Sequence, residues 1–144
     1  MKQSIAILCG GGPAPGINTV ISSVAKTFLR SGYRVVGIHG GFKGLFAKNH
    51  PIEEISFIMA DRIQHVGGSA LKMSRYKPNV EDLDPKFFSD NNIKLLVTIG
   101  GDDTASTANR ISAFLEKKAI EIQNIHVPKT IDNDLPLPEG IPTF

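Results

Sequence analysis

Apolar residues fall into two kinds of pattern along this chain, and their alternation predicts its architecture. Residues 4–9 (SIAILC), 33–38 (YRVVGI), 93–99 (IKLLVTI) and 124–127 (NIHV) are short, nearly continuous apolar runs, as expected of strands covered on both faces. After the first run, apolar residues at 17, 20, 21, 24, 25 and 28 recur at helical spacing, predicting a helix over 17–30 that Gly32 ends. Further helices are predicted over 56–66, stopped by Gly67-Gly68, over 84–90 with Pro85 at its first position, and from just after Gly100-Gly101 to about residue 117. Residues 40–55 and 69–80 read as loops, and Pro128, Pro136, Pro138 and Pro142 interrupt regular structure near the end. Strands alternating with helices predict the α/β class, as a doubly wound parallel sheet flanked by helices, because parallel neighbours need a crossover between them. No repeat, low-complexity tract or linker divides the chain, so one domain is expected over 1–144.

Composition narrows the chemistry. Sixteen Lys and Arg against fourteen Asp and Glu leave a net charge of +2, and Lys117-Lys118 is the only adjacent basic pair, so neither nucleic acid nor an anionic membrane is expected as a partner. No apolar run approaches membrane-spanning length, and the N-terminus enters a strand without a leader-like segment, so a cytoplasmic protein is expected. Cys9 is the single cysteine, which excludes an internal disulfide and fits a buried small apolar residue. His39, His50, His65 and His126 show no metal-ligand spacing, and Phe42 reads as packing. The informative surplus is 14 Gly and 9 Pro, gathered at the ends of strands.

Three loops leave the carboxyl ends of predicted strands, where open α/β sheets bind ligands. The first, residues 10–18 (GGGPAPGIN), lets backbone approach a phosphate closely, with the N–H groups of the next helix behind it. It is neither of the common nucleotide fingerprints. The dinucleotide pattern needs glycine where Pro15 stands and an acidic residue where His39 stands, while the P-loop needs Lys and Ser/Thr where Ile17-Asn18 stand. The second loop, Gly100-Gly101-Asp102-Asp103-Thr104, brings two adjacent carboxylates to a strand end, suited to Mg²⁺ held jointly with phosphate oxygens. Helix capping accounts for one Asp there, but not readily for two. In the third loop, Lys129, Thr130, Asp132 and Asp134 place a cation, a hydroxyl and two carboxylates within six residues. Asp132 and Asp134 share a side in an extended segment, a spacing that suits a base beside a metal or orienting group.

Taken together, Gly11-Gly12-Pro13-Ala14-Pro15-Gly16-Ile17-Asn18, Gly100-Gly101-Asp102 and Thr130-Ile131-Asp132-Asn133-Asp134 resemble the phosphofructokinase family, in family order and across nearly the whole chain. The NAD-kinase and lipid-kinase group shares Gly-Gly-Asp but lacks the last motif. Asp103 and Lys129 stand where ATP-using members have glycine, which resembles the pyrophosphate-dependent branch. Charge agrees with that, since a carboxylate at Asp103 repels the α-phosphate of a nucleotide and Lys129 offsets charge on a compact donor.

The resemblance implies a Rossmann-like N-terminal domain that binds the phosphate donor, in a chain more than twice this length whose remainder supplies most sugar-phosphate contacts. It further implies transfer of phosphoryl from pyrophosphate to fructose 6-phosphate in glycolysis, reversibly, by a Mg²⁺-dependent homo-oligomer. On that reading Gly11, Gly12, Asp103, Thr104 and Arg75 form the donor site, and Asp102 holds the metal. Lys129 binds the phosphoryl group, Thr130 contacts phosphate or sugar, Asp132 is the general base, and Asp134 supports the base or the metal. Arg75 matches the family's Gly-Gly…Ser-Arg stretch through Gly67-Gly68 and Ser74-Arg75, although Leu71-Lys72-Met73 departs from the usual Leu-Gly. Two alternatives stay open: an ATP-dependent 6-phosphofructokinase, or a non-catalytic segment that shows no turnover by itself.

Overall fold

The computed structural model of the chain describes residues 2–130 and 135–141. Its centre is β1 (Ser4–Cys9), all six residues of which are buried. Strands β2 (Arg34–Ile38) and β4 (Ile93–Gly100) pair with β1 in parallel on either side, and β5 (Gln123–Pro128) pairs in parallel with β4. A fifth strand, β3 (Ile52–Glu54), runs antiparallel to β2 and closes one edge, so the sheet order is β3-β2-β1-β4-β5. The sheet is therefore mixed rather than wholly parallel. Three residues after Pro51 are too few for an apolar run, and Glu53 and Glu54 suit an edge that must resist pairing with other chains.

Helices cover both faces, as a doubly wound fold requires. Helix α1 (Ile17–Arg30) buries Ile17, Ile21 and Ala25 against Ile5, Ile7, Leu95 and Val97, with α3 (Phe57–Ile63) packed beside it. On the other face, Phe87 and Phe88 of α4 (Lys86–Asp90) and Ala108, Ile111 and Leu115 of α5 (Asp102–Lys117) pack on Ala6, Leu8 and Leu96. Short helix α2 (Phe42–Leu45) sends Phe42 and Leu45 into that same core, inside the stretch expected to be loop.

Helix α3 stops at Ile63, short of the expected 66. Ser56 caps its start by accepting from the Met59 N–H at 3.1 Å, and past Ile63 the chain tightens, the Val66 N–H donating to Ile63 O at 3.0 Å before side chains of α1 take carbonyls beyond the helix. Thr19 Oγ1 donates to Gln64 O at 2.7 Å and Asn18 Nδ2 to Val66 O at 2.8 Å. Pro85 sits one position before α4, where Asp84 Oδ1 accepts from the Lys86 N–H at 3.0 Å. Among the described residues, no helix is long and apolar enough to cross a membrane.

Chain order runs from β1 toward β2 and β3, then returns to place β4 and β5 on the opposite side. The reversal lies between β1 and β4, and the crevice at their carboxyl ends is where such sheets bind ligands.

Candidate functional site

The loops after β1, β4 and β5 meet at that crevice. They line a cavity of about 620 Å³ whose walls include Gly11, Gly12, Arg75, Asp102, Asp103, Thr104, Lys129 and Thr130. Asp132 and Asp134 lie outside the described residues. The structure thus gathers every described residue given a site role from the sequence, and adds Lys77, Phe42 and Leu135 to the same cavity.

Close approach explains the glycines. Gly10 ends the first strand run with its N–H donated to Ile99 O at 2.8 Å, and Thr104 is wedged between Gly10 and Gly100. A Cβ on either glycine would overlap the Thr104 hydroxyl, so the loops of β1 and β4 interlock through this buried side chain. Thr104 meets the cavity, but its hydroxyl is turned against those two backbones.

Lys129 ties the third loop to the other two. Its N–H donates to Gly100 O at 2.9 Å, and its Nζ crosses to donate to Gly12 O at 2.6 Å. The residue is buried, at 8% relative exposure. Burial lowers its proton affinity below the ordinary lysine value, and the positive charge of Arg75 lowers it further. Two cations on the wall of one cavity suit it to an anion.

Two expectations about phosphate donors change. The Gly11 N–H is committed to Ser74 O at 2.9 Å, so it is not a donor to the cavity. Nor does α1 open onto it, because residues 13–18 do not line the walls. Helix α5 does, through Gly101 and its first turn. Gly101 is the N-cap and neither aspartate caps the helix, so Asp102 and Asp103 stand exposed in the first turn. The helix dipole stabilises them there.

Asp103 Oδ2 lies 3.6 Å from Lys77 Nζ, a cation missing from the sequence reading. Its signal was available, because residues 75 and 77 share a side in an extended segment. Among the described residues no three His, Cys, Asp or Glu side chains gather into a closed metal cage. Mg²⁺ does not need one. One or two carboxylates beside phosphate oxygens and water make a sufficient set, and the exposed carboxylate of Asp102 on the cavity wall can supply one.

Behind the second loop, Nδ1 of His126 on β5 lies 2.9 Å from the buried Thr98 Oγ1 on β4. Burial holds the imidazole below its ordinary value of 6.5, partly offset by a hydrogen bond to the Gly100 backbone and the charge of Asp102. Below 6.5 the unfolded chain therefore binds more protons at this site, so stability falls with acid until the folded value is passed. In urea titrations from about pH 7 to about pH 5, the midpoint should fall less for His126→Gln than for the native chain. Equal slopes would show that His126 makes no such contribution.

Comparison with known proteins agrees with this geometry. The sequence pattern of the family described as Phosphofructokinase matches residues 4–140. A pyrophosphate–fructose 6-phosphate 1-phosphotransferase of Thermotoga maritima is 48% identical over 149 residues, covering 100% of this chain and 35% of that protein. An ATP-dependent 6-phosphofructokinase of Clostridium perfringens is 35% identical, over 92% of this chain and 39% of that protein. The crystal structure of a pyrophosphate-dependent phosphofructokinase from Marinobacter aquaeolei superposes with a TM-score of 0.82 at 26% identity, over 94% of this chain and 35% of that one. The chain spans about a third of the length of the curated relatives it matches.

Proposed function

This chain belongs to the phosphofructokinase family, and from that premise we propose that it is the donor-binding domain of an enzyme that transfers phosphoryl from pyrophosphate to fructose 6-phosphate. The products are fructose 1,6-bisphosphate and phosphate, and the reaction runs in both directions. The observation that carries the choice of donor is Asp103, a first-turn carboxylate on the wall of a cavity that also holds Arg75 and Lys129. A compact dianion or trianion is matched in charge by the two cations of the cavity. A nucleotide must extend further, and its α-phosphate then meets a like charge.

In the proposed mechanism, Arg75 and Lys129 bind the donor's phosphates, and Lys129 follows the charge of the group in transfer. Asp132 accepts the proton of the sugar's C1 hydroxyl as that oxygen attacks the terminal phosphorus. The bond from phosphorus to the bridging oxygen breaks, and inorganic phosphate leaves. Thr130 orients phosphate or sugar, and Asp134 is assigned to support the base or the metal. Asp102 is the residue assigned to Mg²⁺, which when bound spreads negative charge on the donor. The soluble homo-oligomer expected of the family belongs to this same reading.

Asp103→Gly tests the donor choice. In the complete gene product, the ratio of kcat/KM for ATP to that for pyrophosphate should rise about tenfold. A larger factor is not expected, because Asp103 is exposed and solvent screens its charge. An unmoved ratio would favour the reading in which ATP is the natural donor, for which the Clostridium perfringens relative speaks.

A further inference from the structure

Residues 66–77 cross the carboxyl edge of the sheet without helix or paired strand beyond a single bridge, and near their end carry Arg75 and Lys77 to the cavity. An irregular segment has no internal ladder to fix a guanidinium, so its position must come from outside contacts. Two side chains supply them at opposite ends.

Asn18 holds the beginning. It is 3% exposed in the first turn of α1, where asparagine is a poor helix former. Both ends of its amide are spent on this one segment. Nδ2 donates to Val66 O at 2.8 Å and Gly67 O at 3.3 Å, and Oδ1 accepts from the Ala70 N–H at 2.7 Å. Ser74 holds the end. Its Oγ donates to Gly40 O at 2.7 Å, in the loop after β2, and its carbonyl accepts from the Gly11 N–H in the loop after β1. Between them, the buried Leu71 accepts from the Gly40 N–H through its carbonyl at 2.9 Å. The backbone immediately before Arg75 is thereby tied to two loops of the site, and Arg75 projects over Gly12. A Cβ on Gly12 would stand 3.0 Å from its guanidinium.

We propose that Asn18 and Ser74 are positioning residues for Arg75, acting through residues 66–77 to present its guanidinium to a phosphate. The inference rests on reading the cavity as a pyrophosphate site, and it assigns neither residue a contact with the ligand. Loosening either end lets Arg75 wander, so affinity for pyrophosphate falls while Lys129 and the aspartates stay in place.

The test is calorimetric titration of pyrophosphate with Mg²⁺ into the complete gene product, in the native protein and in Arg75→Ala, Asn18→Asp and Ser74→Ala. Asn18→Asp keeps the acceptor for Ala70 and removes both donors, whereas Ser74→Ala removes one hydroxyl from a less buried position. Having both keeps the test decisive if one variant folds poorly by circular dichroism. Each should weaken binding about threefold to tenfold. In the Arg75→Ala background, each should cost less than about twofold more, because the group being positioned is gone. Costs that add fully to that of Arg75→Ala indicate only general loosening and overturn the proposal, as does unchanged affinity. If the native protein binds no pyrophosphate, the donor-site reading fails first and this inference with it. Native binding that is indifferent to both variants removes this inference alone.

Discussion

Replacing Asp132 with asparagine should lower kcat by about two to four orders of magnitude while the KM for fructose 6-phosphate stays within about threefold. Asparagine keeps the shape and one acceptor oxygen of aspartate but cannot carry away a proton. The loss therefore falls on the step in which the sugar hydroxyl becomes a nucleophile, and not on binding of the sugar. Steady-state kinetics of the complete gene product give both constants in one experiment. The pH profile adds a second readout, because the acidic limb that reports ionisation of the base should disappear. A loss smaller than about tenfold would mean that another group takes the proton. The carboxylate is assigned from its motif. Its neighbours in sequence, Lys129, Thr130 and Leu135, all line the cavity.

Lys129→Met should be nearly as damaging, lowering kcat/KM for pyrophosphate by about two to three orders of magnitude. The ammonium sits on the cavity wall with Arg75, so it acts on a phosphate there at close range. Methionine preserves much of the apolar stem and removes the charge. The native proton affinity is already depressed by burial and by Arg75, so removing the charge should leave the melting temperature within a few degrees. The Gly12 carbonyl loses a partner, which works in the opposite sense and keeps the net change small. Activity and thermal melting measured together separate the two roles. A variant that unfolds would show Lys129 to be chiefly a clamp between loops, and one that keeps its activity would remove it from the donor site.

Much of this arrangement could be read from residues close together in the chain. The run of apolar residues at 4–9, the helical periodicity of 17–30 and the strand from 93 each set their own element, and the three glycine-rich or acidic loops followed at the strand ends. What escaped depended on distant partners. Helix α2 rests on Phe42 and Leu45 finding the core within four residues, too short a stretch for any period to appear. Strand β3 exists because β2 offers it an edge. The part Asn18 plays could not be read locally, because its amide bonds carbonyls 48 and 49 residues away. That contact ties α1 to the chain just after α3, and the helix start that lines the cavity is the first turn of α5. Lys77, by contrast, stood two positions from Arg75 and was legible from alternation alone.

The donor itself is the central claim, and the most direct measurement is fructose 1,6-bisphosphate formation by the complete gene product with pyrophosphate or ATP as sole phosphoryl donor. With Mg²⁺ present and both donors titrated, kcat/KM for pyrophosphate should exceed that for ATP by at least about a hundredfold. Equal or better use of ATP would contradict the role given to Asp103 and Lys129, and would place the chain with the ATP-dependent members of its family.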